Sequence, residues 1–108
     1  MAKRILFICS QNKLRSPTAE AIFADHPDIE VDSAGLNHDA EVSLSPEQIE
    51  WADLILVMEK VHRERLNRNF RDALAHKQIA VLNIPDDYEY MDPELIELLR
   101  SKCRRYGL

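Results

Sequence analysis

The sequence predicts one α/β domain over residues 1–108: a four-stranded parallel sheet with helices on both faces. Three observations carry that expectation. Three short runs are wholly apolar and a fourth alternates, as buried strands do. Each run is followed by a stretch with helical spacing or a helix-start signal, so the strands are joined by right-handed crossovers. The chain has 108 residues, 45% apolar and 31% charged, which is enough for one core and too little for two.

Ile5-Leu6-Phe7-Ile8 reads as the first strand. Ser16-Pro17 opens the first helix, with serine read as the N-cap, proline at the first helical position, and Ala19, Ile22 and Phe23 on one face. Ile29-Glu30-Val31-Asp32 forms the second strand and ends at Ser33-Ala34-Gly35. From Leu36 to Leu44 the pattern is least regular. Ser45-Pro46-Glu47-Gln48 repeats the Ser-Pro opening and adds glutamine at the third helical position, completing a capping box for a short helix that reaches Trp51. Trp51 itself reads as a packing residue.

Leu54-Ile55-Leu56-Val57-Met58 is the clearest central strand. The helix over residues 60–70 carries Lys60, Arg63, Arg65 and Arg68, with Arg71 just beyond; interleaved with Glu59 and Glu64 they read as a solvated face, or else as a docking surface for an acidic partner. Ile79-Ala80-Val81-Leu82 is the fourth strand. Asp92-Pro93 opens the last helix, where Leu95, Leu98 and Leu99 form the apolar stripe. Arg100, Lys102, Arg104 and Arg105 at its end complement the helix dipole.

Several function classes are disfavoured. A net charge of -5 argues against a general nucleic-acid binder, whose footprint is basic. Any anionic substrate must be drawn by a local patch, for which Lys3, Arg4, Lys13 and Arg15 are the candidates. No apolar run approaches the roughly 18 residues of a membrane span, so no membrane partner is expected. Only four apolar residues separate Arg4 from Cys9, too few for a signal-peptide core, and two cysteines make at most one bridge, so a cytoplasmic location is expected. His26, His38, His62 and His76 show no ligand spacing with each other or with the cysteines, so neither a metal nor another cofactor is expected.

In parallel sheets ligands bind beyond the carboxyl ends of the strands. There, after the first strand, stands Cys9-Ser10-Gln11-Asn12-Lys13-Leu14-Arg15-Ser16-Pro17. Five residues between cysteine and arginine can curl so that their backbone N–H groups converge above the sulfur, with a helix N-terminus behind them. That is a phosphate cradle. Arg15 closes the ring, because its planar fork pairs two phosphate oxygens at once. The same positive field favours the thiolate of Cys9, the nucleophilic form. No glycine lies in the loop, so Asn12 is the residue suited to a left-handed conformation. Ser16 has two compatible roles, capping the helix and donating to the Cys9 sulfur.

The block from Cys9 to Arg15, followed by Ser16-Pro17-Thr18-Ala19-Glu20-Ala21, resembles the active-site loop of the low-molecular-weight protein tyrosine phosphatases. Asp32-Ser33-Ala34-Gly35 resembles that family's second-strand motif and Ala52-Asp53-Leu54-Ile55-Leu56-Val57-Met58 its central strand, so the likeness runs along nearly the whole chain. The resemblance implies Cys9 as nucleophile, Arg15 as phosphate-binding arginine, Asn12 as the loop-ordering asparagine, and Ser33 as its brace. Ser10, Gln11, Asn12, Lys13, Leu14 and Ser16 complete the phosphate-binding loop. The family's general acid is an aspartate before the last helix. Asp92 is read as an N-cap already occupied by backbone N–H groups, so Asp86 is preferred, with Asp87 beside it and Tyr88 as the aromatic wall. Gln11 stands where the family usually has glycine, and Leu14 where it usually has a second cysteine, so disulfide protection of the nucleophile is not implied. The segment after Gly35 is short, implying a lower wall.

The implied activity is hydrolysis of a phosphomonoester through a phosphocysteine, without metal, on a phosphorylated protein or a small aryl phosphate, releasing inorganic phosphate. Two alternatives stand beside it. One is an arginine phosphatase, whose relatives carry threonine where Lys13 sits. The other is a non-catalytic phosphate-binding regulatory module. Cys103 is expected to be a structural or surface thiol.

Overall fold

The computed structural model describes residues 3–37 and 39–108. Strands β1 (Lys3–Cys9), β2 (Ile29–Gly35), β3 (Leu54–Val57) and β4 (Gln78–Val81) alternate with helices α1 (Arg15–Phe23), α2 (Pro46–Trp51), α3 (Lys60–Asn69) and α4 (Pro93–Cys103). A single turn of 3-10 helix, Arg104–Tyr106, ends the chain. The strands lie in the order β2-β1-β3-β4, and every pairing is parallel. The connection from β1 runs to one side and the later strands build on the other. The carboxyl end of β1 is therefore the switch point of the sheet, and Cys9 is its last residue.

Period-two alternation along β1 divides the core between two faces. Ile5, Phe7 and Cys9 join Phe23 of α1 and Leu95, Leu99 and Cys103 of α4. Leu6 and Ile8 join Ile49 of α2 and Leu66 of α3 on the other face, with Trp51 and Phe70 packed around them. The rings of Phe7 and Phe23 stack at 5.9 Å between centroids. Burying a side chain such as Phe7 contributes about 1.5–3 kcal/mol, so β1 is clamped from both faces before any polar contact is considered.

Local signals behave unequally. Ser45 caps α2 as read: its side chain accepts the Gln48 N–H at 3.3 Å, and the glutamine returns a bond to the Ser45 N–H at 3.1 Å. Asp92 likewise caps α4, accepting the Glu94 N–H at 2.9 Å. Ser16 does not cap α1. The helix starts two residues earlier, at Arg15, with Leu14 in the capping position and no side-chain cap. The Ser16 hydroxyl is instead directed toward Cys9, so the helix entrance is shaped by the loop that precedes it. Lys3 and Arg4 also depart from expectation. They stand at the opening of β1, and at about 3.3 Å per residue Arg4 is roughly 16 Å from Cys9, which leaves Lys13 and Arg15 as the local positive charge. His38 lies outside the described residues.

Candidate active site

Residues 10–14 curl back over the end of β1. Asn12 takes the left-handed conformation, with φ of 57°. Its backbone N–H donates to Cys9 Sγ at 3.2 Å. Its side chain reaches outward, donating from Nδ2 to Ser33 Oγ at 2.9 Å and to Ser16 Oγ at 3.0 Å. The Ser33 hydroxyl donates in turn to Glu20. Ser16 Oγ stands 2.9 Å from Cys9 Sγ, on the buried side of the sulfur. A non-glycine left-handed residue is costly unless its surroundings over-determine it, and here three side-chain and backbone bonds do so.

The orientation of the peptide planes follows from where the carbonyls go. Cys9 O accepts from Leu36 N at 3.0 Å, Ser10 O from Asn37 N at 2.9 Å, and Gln11 O from Glu41 N at 3.0 Å. The carbonyls thus face the segment after β2, and the opposite, amide edges face inward. Among the described residues the N–H groups of Ser10, Gln11, Lys13 and Leu14 meet no acceptor. Gly35 makes this close approach possible: a Cβ there would lie 2.7 Å from Ser10 O and 2.9 Å from Asn12 N. Arg65 of α3 holds the same segment from outside, donating to Asn37 Oδ1 at 2.9 Å and to Leu36 O at 3.3 Å.

Arg15 is 2% exposed. A buried guanidinium must be compensated, and three groups do so. Nη1 donates to Glu59 Oε1 and to Ile84 O, both at 2.8 Å, while Nε lies 3.6 Å from Asp86 Oδ1. Glu59 follows Met58, just past the end of β3. Ile84 is placed by continuation of the ladder past β4, its N–H bonded to Met58 O at 2.8 Å. Ser10 Oγ lies 3.0 Å from His62 Nε2, and His62 Nδ1 accepts the Glu59 N–H at 3.0 Å. Burial, and then the Arg15 charge, lower the His62 pKa to about 4.

Cys9, Ser10, Gln11, Lys13, Leu14, Arg15 and Asp86 line a pocket of about 250 Å³. Asn12, Ser16 and Ser33 sit behind the loop rather than in the pocket. Asp87 is exposed and outside the lining. Tyr88 is not its wall: the ring is half-buried against the core beside Leu98 of α4, where its apolar body is covered. Glu59 departs from its reading as part of a solvated face, because it is Arg15's ion partner. Its signal was positional, since it follows the central strand at the sheet edge where ligands bind. Cys9 and Cys103 are both free thiols, and Cys103 is fully buried. Among the described residues no group of three or more histidine, cysteine, aspartate or glutamate side chains is placed to hold a metal.

Residues 4–52, which include the whole loop and the strand that braces it, match the family of low molecular weight phosphotyrosine protein phosphatases. Over those residues the chain is similar to that family. Its fold is shared with solved phosphatases. The tyrosine phosphatase Wzb from Escherichia coli K30, in complex with phosphate, is 24% identical with a TM-score of 0.78, over 99% of this chain and 97% of that one. The YwlE arginine phosphatase from Geobacillus stearothermophilus is 23% identical with a TM-score of 0.73, over 97% of this chain and 93% of that one. Wzb from Vibrio vulnificus, in complex with benzylphosphonate, is 23% identical with a TM-score of 0.77, over 99% of this chain and 98% of that one. No curated protein sequence matches the chain. The low-molecular-weight phosphatase fold thus positions a cysteine, inward amides and an arginine at one sheet edge. No described helix is long and apolar enough to cross a membrane.

Proposed function

We propose that this chain hydrolyses phosphomonoesters through a phosphocysteine, with phosphotyrosine in proteins or small aryl phosphates as substrate. The observation that supports this best is the convergence of Cys9 Sγ, the inward amides and Arg15 on one pocket. Cys9 Sγ attacks phosphorus in line as the bond to the leaving oxygen breaks. The loop N–H groups and the free edge of the Arg15 guanidinium hold the equatorial oxygens, where charge redistributes. The Asn12 N–H at 3.2 Å and the Ser16 hydroxyl at 2.9 Å hold the sulfur in place before attack and when phosphate departs.

Asp86 stands at the pocket mouth beside Arg15. In this reading it gives its proton to the leaving oxygen, then takes one from the water that attacks phosphorus, so that phosphate leaves and the thiolate returns. Lys13 on the rim adds a positive charge to the pocket, which disfavours the cationic guanidinium of a phosphoarginine relative to a neutral aryl ester. Asn12 and Ser33 order the loop, and neither needs to touch substrate.

The test is phosphate release from an aryl phosphate in the presence of a chelator. Wild type turns over, and Cys9→Ser does not. Asp86→Ala lowers kcat by about 10²–10⁴-fold. Asp92→Ala costs about 1 kcal/mol of stability through loss of its cap and leaves kcat within about twofold. A reversed ranking of the two aspartates overturns the acid assignment. Phosphate binding by the wild type without turnover makes the chain a binding module instead.

A further inference from the structure

His62 is fully buried, yet nothing in the reaction as described uses it. Its ring does not lie among apolar neighbours by default, because both nitrogens are engaged. Nδ1 accepts the Glu59 N–H at 3.0 Å, so Nδ1 carries the lone pair. The neutral ring then carries its hydrogen on Nε2, which donates to Ser10 Oγ at 3.0 Å. With that bond received, the Ser10 hydroxyl hydrogen is left for an acceptor on the pocket side, and Ser10 lines the pocket.

Glu59, whose N–H is held by the ring, binds Arg15 Nη1 through Oε1 at 2.8 Å. A continuous chain therefore runs from Ser10 through His62 and Glu59 to Arg15. It joins the residue after the nucleophile to the arginine that closes the loop, by a route outside the loop. The N-cap residue of α3 and its first turn supply the whole route.

We propose that His62 is a positioning residue of the phosphate loop, tethering Ser10 at one end of the loop and the Glu59–Arg15 pair at the other, with Ser10 as an additional donor to bound phosphate. This rests on the phosphate-loop reading above. The Asn12–Ser33 brace holds the loop on the β2 side, and the His62 chain holds it on the β3 side. The arrangement works only while the ring is neutral, since a second ring proton would displace the Glu59 N–H. Burial and the nearby Arg15 and Arg65 charges, opposed by Glu59 and Asp86, keep it so, with a pKa of about 4.

Ser10→Ala, His62→Leu, the double variant and His62→Gln are compared by equilibrium titration with inorganic phosphate and by kcat and KM on an aryl phosphate. Ser10→Ala is expected to weaken phosphate binding about three- to tenfold. The double variant should be no more than about twofold worse than His62→Leu alone, because both remove one link. His62→Gln, which can return an N–H donor toward Ser10, should recover most of the affinity that His62→Leu loses. Ser10→Ala within twofold of wild type for phosphate overturns the proposal, as do losses from Ser10 and His62 that simply multiply. Ser10 is only half-buried, so its variant decides the matter even if His62→Leu does not fold. Absence of turnover in the wild type defeats the phosphatase reading alone, since the phosphate titration still reads the tether.

Discussion

Gly35→Ala probes whether the bowl depends on β2 reaching the loop at backbone distance. The added Cβ would meet Ser10 O at 2.7 Å, Asn12 N at 2.9 Å and Ala40 Cβ at 2.7 Å. Carbon contacts relax near 3.5 Å, so the loop must retreat by roughly half an ångström or more. Two of the three atoms are loop backbone and cannot yield by rotating a side chain. Overpacking of this kind costs about 1–3 kcal/mol. The retreat carries with it Asn12 N, which holds Cys9 Sγ at 3.2 Å. A misplacement on the order of 1 Å at a reacting centre costs up to about 10²-fold in rate. Aryl phosphate kcat/KM should therefore fall about ten- to a hundredfold, with phosphate affinity falling in parallel and a denaturant midpoint shifted by the stated energy. Gly107→Ala is the control. Gly107 has φ of 88° with nothing within 4 Å of an added Cβ, so alanine there costs about 1 kcal/mol of backbone strain and leaves turnover unchanged. Gly35→Ala within twofold of wild type, or Gly107→Ala losing as much activity, refutes the reasoning.

Two further outcomes follow from the buried titratable groups. His62 is held at about 4 against 6.5 in an unfolded chain, so its contribution to stability is present above pH 6.5 and is lost as pH falls toward 4. At about 1.4 kcal/mol per pH unit the loss is up to about 3 kcal/mol, and His62→Gln should flatten that part of the stability–pH curve in denaturant titrations; an unchanged slope refutes it. Burial pushes the Cys103 thiol up to about 12, so iodoacetamide near pH 8 should label native protein at Cys9 and reach Cys103 only in denaturant. Equal labelling of the two in native protein contradicts this.

The parts of the site that are contiguous in sequence were legible, and those assembled from distant segments were not. Cys9 and Arg15 are separated by a loop short enough that spacing, a preceding strand and a following helix define its shape. Asn12 was legible because so few residue types tolerate its backbone. The two Ser-Pro pairs show the boundary of that method. Ser45 has only its own helix to serve and caps it, whereas Ser16 has a sulfur 2.9 Å away that claims its hydroxyl. Nothing within a few residues of Ser16 distinguishes the two cases. Glu59 read as part of a solvated face and His62 only as a histidine without ligand spacing, since their partners, Arg15 and Ser10, lie 44 and 52 positions away. Lys3 and Arg4 failed for the converse reason: nearness in the sequence became separation along an extended strand. Tyr88 went to the core because an aromatic ring gains more from covered surface than from a solvent-facing rim.

The carbonyls of Cys9, Ser10 and Gln11 are fastened by amides at positions 36, 37 and 41 whether or not an anion is near. The receptor is thus finished when the chain folds. An incoming oxyanion meets donors already aimed, and little ordering entropy remains to be lost on arrival. On the function proposed above, selectivity arises at the mouth, where Gln11, Lys13 and Asp86 stand.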